Sequence, residues 1–484
     1  MQRRTFLGNS LAGLAGALMP RWAWAGEDLA DSRFNIIMIL TDDQGYGDLG
    51  CLGHPFLQTP HLDRLYAQST RLTDFQVSPT CSPTRSALMS GRLPFRNGVT
   101  HTYSERERMS LDAVTIAQAL KTARYTTGIF GKWHLGDEDA YQPHNRGFDE
   151  TFIHGAGGIG QKYHGSCADA PGNRYFDPVI RHNRRFVKTR GFCTDVFFRQ
   201  ALAWVKRVKD KPFFAYISTN APHSPFHCPP EYEARYRNKC GKKQRGFYGM
   251  ISNIDDNVGL LMRALDQWGL SDRTLLVFMT DNGTAAGSSG GMKGRKNSLH
   301  EGGTRVPAFF RLPGQLDAGV DVSRLTRHVD IYPTLAALAG AAVPKDYELD
   351  GRNLLPLLAD PGMEWPDRYT FFHRGRWRGK PVRDRDYAVR NERWRLVHTG
   401  KRLELYDIRA DREEQHDVIS KHPDVAADMS TAYEGWWQRM QPFLVNEGAR
   451  PEVKGPFHKH YHAQLAGEGI PAWEPPDLGI SRDD

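Results

Sequence analysis

Cysteine is scarce in this chain, with six in 484 residues, too few for a scaffold held together by disulfides. Beyond residue 25 there is no apolar run long enough to anchor the protein in a bilayer. Basic runs interleaved with aromatics are absent, as is any nucleic-acid motif, so nucleic acid is not an expected partner. Internal repeats and low-complexity tracts are also missing, which excludes solenoids and long disordered arms. Neither sign of charge dominates: the formal net charge is +8, and removing residues 1–25, with three arginines and no acids, leaves +5. So small an excess is compatible with an anionic substrate and equally with a mixed solvated surface. At 39% apolar and 25% charged residues, the composition is that of an ordinary globular protein.

The N-terminus reads as an address. Arg3-Arg4-Thr5-Phe6-Leu7 precedes a Gly- and Ala-rich apolar run ending near Met19, and Ala23-Trp24-Ala25 offers a small-x-small cleavage site. Residues 1–25 are therefore expected to be a signal peptide, and the arginine pair resembles the twin-arginine export signal of bacteria. The expected destination is the periplasm or the exterior.

Beyond it, short apolar runs alternate with helical patterns. Asn35–Leu40, Thr126–Phe130, Phe213–Ser218 and Thr274–Met279 read as strands, and Ala113–Ala123, Phe197–Val208 and Ile254–Gln267 as helices. Continuous apolar strands alternating with helices imply an α/β fold: a large, mostly parallel sheet sandwiched by helices. Residues 154–192 are Gly-rich and irregular and are expected to be a long surface loop. After residue 362 the pattern changes. Tyr387–Val397 and Leu403–Ile408 look like antiparallel strands of a smaller C-terminal subdomain (363–484), with a Trp-rich helix at Ala427–Met440 and no clear element after Gly448.

Each main strand is followed by a polar cluster: Thr41-Asp42-Asp43-Gln44, Gly131-Lys132-Trp133-His134, Asn220-Ala221-Pro222-His223 and Thr280-Asp281-Asn282-Gly283. In open α/β sheets, ligands bind outside the carboxyl ends of the strands, so these clusters are expected to share one site. Asp42, Asp43, Asp281 and Asn282 form a hard-oxygen set suited to Ca²⁺ ahead of Mg²⁺. Adjacent acids in a loop are commonly just solvated, but two such pairs capping two strands would repel without a cation. At Cys81-Ser82-Pro83-Thr84-Arg85, Pro83 as an early helical residue sets Cys81 at a helix N-terminus, where an anion is favoured. Arg85, one turn on, places a permanently charged fork on the same side. Lys132 and His134, two apart, would share a face in an extended segment. His223 is held between Pro222 and Pro225, and Lys296 stands five residues before Glu301-Gly302-Gly303.

The Cys-x-Pro-x-Arg signature at 81–85, together with these residues, resembles the type I sulfatases, of alkaline-phosphatase-like fold, over nearly the whole chain after residue 25. Further matches are Gly302-Gly303-Thr304-Arg305-Val306-Pro307, Val329-Asp330-Ile331-Tyr332-Pro333-Thr334 and Leu405-Tyr406-Asp407-Ile408. The resemblance implies a sulfuric ester hydrolase with its catalytic domain at 26–362. It implies oxidation of Cys81 to formylglycine by a formylglycine-generating enzyme, and Ca²⁺ bound by Asp42, Asp43, Asp281, Asn282 and residue 81. Arg85, Lys132, His134, His223 and Lys296 match the family's catalytic groups, with Lys296 preferred over Lys293. By the same resemblance, the hydrated residue 81 attacks sulfur, His223 with Lys296 protonates the departing alcohol, and His134 takes the proton that releases sulfate. After Gly147-Phe148-Asp149, Thr151 and His154 both stand where some sulfatases carry another polar group, and that role stays open. The expected substrate is a sulfated carbohydrate. An aryl sulfate, a phosphonate or phosphate monoester, and non-catalytic binding of a sulfated glycan are the alternatives. Specificity is expected in the 154–192 loop, with Arg174 or Arg184 as contacts, and in the tail histidines His458, His460 and His462. Disulfide pairing among Cys51, Cys167, Cys193, Cys228 and Cys240 is left open.

Overall fold

Apolar residues of both parities along the central strands dictate a sheet covered on both faces. The computed structural model, which describes residues 34–400, 402–450 and 455–480, has such a sheet of ten strands. Asn35–Thr41 lies at its centre, parallel to Thr274–Thr280 on one side and to Phe213–Ser218 on the other. Thr126–Lys132 and Glu150–His154 continue the parallel run. Every residue of the three central strands is buried. Ala308–Arg311 and Val179–His182 join antiparallel to it, so the sheet is mixed but mainly parallel, as expected.

Register aligns the strand ends. Leu40 and Gly131 both lie opposite Ser218, Thr41 opposite Thr280, and Lys132 opposite His154. Gly131 makes this approach possible: its φ is 111°, and a Cβ there would lie 2.0 Å from the Ser218 carbonyl oxygen. The Cys193–Val208 and Lys242–Gln267 helices cover one face, packing Val196, Phe197, Leu202, Ile254 and Leu261 with Ile37, Ile39 and Ile217. Each such side chain contributes about 1.5–3 kcal/mol by leaving water. The helix expected from Ala113 begins at Ile116, because Thr115 caps it in a reciprocal box with Gln118.

The smaller sheet is antiparallel: Thr370–His373, Tyr387–Arg390, Trp394–His398 and Leu403–Asp407. It packs on the Pro423–Met440 helix through Tyr433, Trp436 and Trp437. The single strand expected over 387–397 is a hairpin, turned where Asn391 Oδ1 accepts from the backbone of Arg393 and Trp394. A buried ion network joins this sheet to the larger body. Glu301 accepts from Arg390 Nε at 3.1 Å, Arg395 Nη1 at 2.6 Å and Arg305 Nη1 at 3.3 Å, while Arg390 also reaches Asp74 at 2.7 Å. The described residues form one compact unit.

Two other expectations change, and the open question of disulfides is answered. The 154–192 loop contains a hairpin, Val179–His182 with Arg185–Lys188, whose turn residues Asn183 and Arg184 both have positive φ, as a two-residue connection requires. The tail carries a helix, Pro456–Gly467, with proline in its first turn. All six cysteines are free. The expected signal peptide lies outside the described residues, among which no helix is long and apolar enough to cross a membrane.

Candidate active site

The Cys81–Ser90 helix starts on an extended Thr80 and is buried along its whole length. Cys81 occupies its first position, as Pro83 implies, and points at the aligned strand ends. Its Sγ lies 3.4 Å from Asp42 Oδ1 and 4.0 Å from Asp43 Oδ1. Burial, with Asp42 alongside, pushes the thiol up to about 12.

Asp42, Asp43 and Asp281 converge from two strand ends, and each takes one cation. Lys132 Nζ donates to Asp42 Oδ2 at 2.6 Å, Lys296 Nζ to Asp43 Oδ2 at 2.6 Å, and Arg85 Nη2 to Asp281 Oδ2 at 2.7 Å. Arg85 also reaches Ser218 Oγ. Burial and neighbouring Asp42 push Asp281 above the ordinary carboxylate range despite Arg85. Burial would raise Asp43 too, but Lys296 and His223 pull it below that range. The ligand atoms of Asp42, Asp43, Cys81 and Asp281 lie within 4.8 Å of one another, and Asn282 Oδ1 is buried without a hydrogen-bond partner. Three crowded carboxylates and a bare amide oxygen fit a hard divalent cation. A second acidic group, His61, Asp255 and Asp256, has a structural use, since Asp255 accepts from the His61 and Leu62 amides at the start of a helix.

A cavity of about 430 Å³ opens over this cluster, with Asp43, Cys81, His134, His223 and Lys296 on its wall. Four non-glycine residues at that wall have left-handed backbone: Asp43 (φ 69°), His134 (61°), Asn297 (72°) and Arg376 (58°). Such strain costs about 1–3 kcal/mol per residue and gathers where function requires a fixed direction. It also corrects one expectation: His134 is not in an extended segment with Lys132. Lys132 ends a strand and points below the cavity to Asp42, whereas His134 turns onto the wall.

Two hydrogen bonds set the histidine tautomers. Thr102 O lies 2.7 Å from His134 Nε2, so that nitrogen carries the proton in the neutral ring, and Nδ1, buried without a partner, is an acceptor. Ser224 O lies 2.7 Å from His223 Nδ1, leaving Nε2 to face Asp43 Oδ2 at 3.8 Å. Burial lowers both rings, His223 to about 4 and His134 well below its ordinary value, with Lys132 adding to the latter.

The sequence-derived metal ligands and catalytic groups thus fall in one cluster, with Asp42, Arg85, Lys132, Asp281 and Asn282 under the cavity rather than on its wall. Lys296 is at the site, whereas Lys293 donates to Tyr406 Oη at 2.7 Å in the smaller sheet. His154 is buried at its strand end, its Nδ1 2.6 Å from Gly155 O; neither it nor Thr151 lines the cavity. Of the expected specificity elements, the loop contributes Gly157, Gln161 and Tyr163. Arg174 and Arg184 are exposed elsewhere, and His458, His460 and His462 lie on the tail helix, off the wall. The sequence reading missed Tyr103, Lys243 and Arg376. Arg376 follows a glycine within a run of arginines, and its only signal was that local pattern.

Comparisons with known proteins identify the family. The family model Sulfatase matches residues 34–341, and that for the N-sulphoglucosamine sulphohydrolase C-terminal region matches 294–434. Human N-acetylgalactosamine-6-sulfatase is 34% identical over 365 residues, covering 70% of this chain and 68% of that protein. Human arylsulfatase A is 35% identical over 371 residues, 70% of each. Among solved structures, Ps i-CgsB in complex with k-i-k-neocarrahexaose has a TM-score of 0.75 at 30% identity, covering 90% of this chain and 98% of that one. The phosphonate monoester hydrolase of Agrobacterium radiobacter, with a TM-score of 0.60 at 21% identity over 86% of this chain and 96% of that one, shares the fold.

Proposed function

Because the chain belongs to the type I sulfatase family and is a sulfuric ester hydrolase, we propose that its substrate is a sulfated carbohydrate and that residue 81 acts as formylglycine beside a calcium ion. The observation that carries this reading is the meeting of Cys81, three carboxylates and the cations Arg85, Lys132 and Lys296 at one helix N-terminus beneath a cavity. The carbohydrate rests on the similarity to the N-acetylgalactosamine sulfatase and the carbohydrate-bound Ps i-CgsB.

Once oxidised and hydrated, residue 81 would supply one hydroxyl to attack sulfur and a second to release sulfate. Calcium, held by Asp42, Asp43, Asp281 and Asn282 with residue 81, would supply positive charge opposite the sulfate oxygens. Lys296, at the cavity wall, adds fixed charge on the open side, and Lys132 and Arg85 hold Asp42 and Asp281 in place. His134 Nδ1 is the free acceptor for the proton that leaves residue 81 as sulfate departs. Lys296 and His223 Nε2, both directed at Asp43 Oδ2, stand together on the side of the departing alcohol: Lys296 donates from its ammonium, and His223 donates from Nε2 in its protonated form, since the neutral ring keeps its proton on Nδ1. Maturation by a formylglycine-generating enzyme and export through residues 1–25 belong to the same reading.

Similarity to arylsulfatase A favours an aryl sulfate as the second reading. Both are tested by inorganic sulfate release from a panel of sulfated sugars and an aryl sulfate, after co-expression with a formylglycine-generating enzyme. Release from sugars that Cys81→Ala abolishes is expected. Release from the aryl sulfate alone would replace the carbohydrate reading, and no release with position 81 confirmed as aldehyde would move the chemistry to another ester.

A further inference from the structure

Beside the catalytic cavity lies a second one of about 490 Å³, sharing Tyr103 and Arg376 with it. Its wall carries Arg106, Arg374, Arg376, Arg378 and Arg385, and no acidic residue. Five guanidiniums facing one space repel one another unless something anionic is present. Carboxylates reach three of the five. Asp386 pairs with Arg374 at 3.1 Å and reaches Arg385 at 4.0 Å, and Glu447 pairs with Arg106 at 3.1 Å. Arg376 and Arg378 have no carboxylate partner among the described residues, and Nε of both Arg374 and Arg376 is buried without any hydrogen-bond partner.

The floor beneath these groups is built rather than loose. Arg106 Nη1 donates to Trp377 O at 2.7 Å, and Trp377 Nε1 to Glu447 at 2.6 Å. Trp377 is buried against Phe95, His373 and Trp437. Gly375 has a φ of 59°, and a Cβ on it would lie 1.9 Å from Thr100 O, so only glycine lets the turn close on that segment. Arg376 then donates from its backbone to Thr100 O and from Nη2 to Thr102 Oγ1 at 2.9 Å. Thr102 is the residue whose carbonyl holds His134. The arginine turn and the catalytic wall are thus joined through Thr102, and a fork held in advance, as that of Arg376 is, binds oxyanions at reduced entropic cost.

We propose that this second cavity binds an anionic group, sulfate or carboxylate, on the sugar next to the one being desulfated, so that the enzyme's substrate class is polyanionic glycan. The inference rests on the sulfated-carbohydrate reading and adds to it a site where residues 101–106 meet the smaller, C-terminal part of the chain.

The test uses three oligosaccharides: one with a single sulfate, one with a second sulfate on the adjacent sugar, and one with a uronate there. kcat/KM on each is measured for the mature wild-type enzyme, for Arg376→Gln and for the exposed Arg378→Gln, which guards against a folding defect in the first. Calorimetric binding of the same compounds to Cys81→Ala protein, with and without Arg378→Gln, gives a readout independent of turnover. The wild type is expected to prefer a doubly charged substrate through KM, and each arginine variant to lose about tenfold of that preference. Preference for the second sulfate or for the uronate identifies which anion the cavity takes. Equal use of all three substrates by the wild type, or a preference that survives both substitutions, would overturn the proposal. Arginine-dependent binding without sulfate release would keep this site while removing the sulfatase substrate reading, so the two failures are distinguishable.

Discussion

Two buried charge clusters, built from the same residue types, are used in opposite ways. Around Glu301, carboxylates and guanidiniums interleave: one acid accepts from Arg305, Arg390 and Arg395, and Gln76 adds its amide at 3.1 Å. Burial alone would raise Glu301, but the three arginines hold it well below the ordinary carboxylate range. At the site, Asp42, Asp43 and Asp281 crowd one another with a cation on each, and burial with Asp42 alongside pushes Asp281 up instead. The first cluster is closed and joins the smaller sheet to the larger body. The second opens on a cavity and keeps an amide oxygen bare. Like charges left adjacent at a cavity mark a place arranged for a ligand, whereas interleaved ones mark structure.

That contrast is broken or sharpened by substitution. The largest effect is expected at the wall: His223→Ala, and separately His134→Ala, should lower kcat for sulfate release by about 10²–10⁴-fold while leaving the denaturation midpoint near that of wild type. A loss of stability equal to the loss of rate would put these histidines in the structural class. Glu301→Gln should do the reverse, costing about 3–5 kcal/mol in denaturant unfolding with kcat little changed in the folded protein.

The first cluster also carries a pH signature. Glu301 titrates below its ordinary value of 4.5, so its stabilisation is complete above about pH 4.5 and is lost as pH falls toward the folded value. Wild type and Glu301→Gln should therefore converge in stability in acid. A gap that widened on acidification would contradict the assignment. The smallest effect is that of metal: calcium at 100 times its dissociation constant should add about 2.7 kcal/mol of stability. Asp43→Asn and Asp281→Asn should abolish that increment, and Glu301→Gln should retain it.

The sequence shows the site because its residues sit where chemistry and topology coincide: acids and basic groups directly after apolar strands, and a cysteine before an early proline. It shows the sheet for the same reason, since the strands are continuous apolar runs. What it hides lies in long-range pairing. Glu301 reads as part of a Glu-Gly-Gly frame because its partners Gln76, Arg390 and Arg395 stand far from it in sequence. Arg376 reads as one of several solvated arginines until the turn at Gly375 lays it on Thr100 and Thr102. The Pro456–Gly467 helix buries only Phe457, so no apolar stripe announces it, and the four-residue strands after Pro178 are too short for alternation to register.

The most direct test of the central claim is the mass of the peptide carrying position 81, measured in preparations made with and without a formylglycine-generating enzyme and set against their specific sulfate release. Activity proportional to the fraction converted from cysteine to aldehyde is the predicted result. Full turnover by protein whose residue 81 is entirely unmodified cysteine would contradict it.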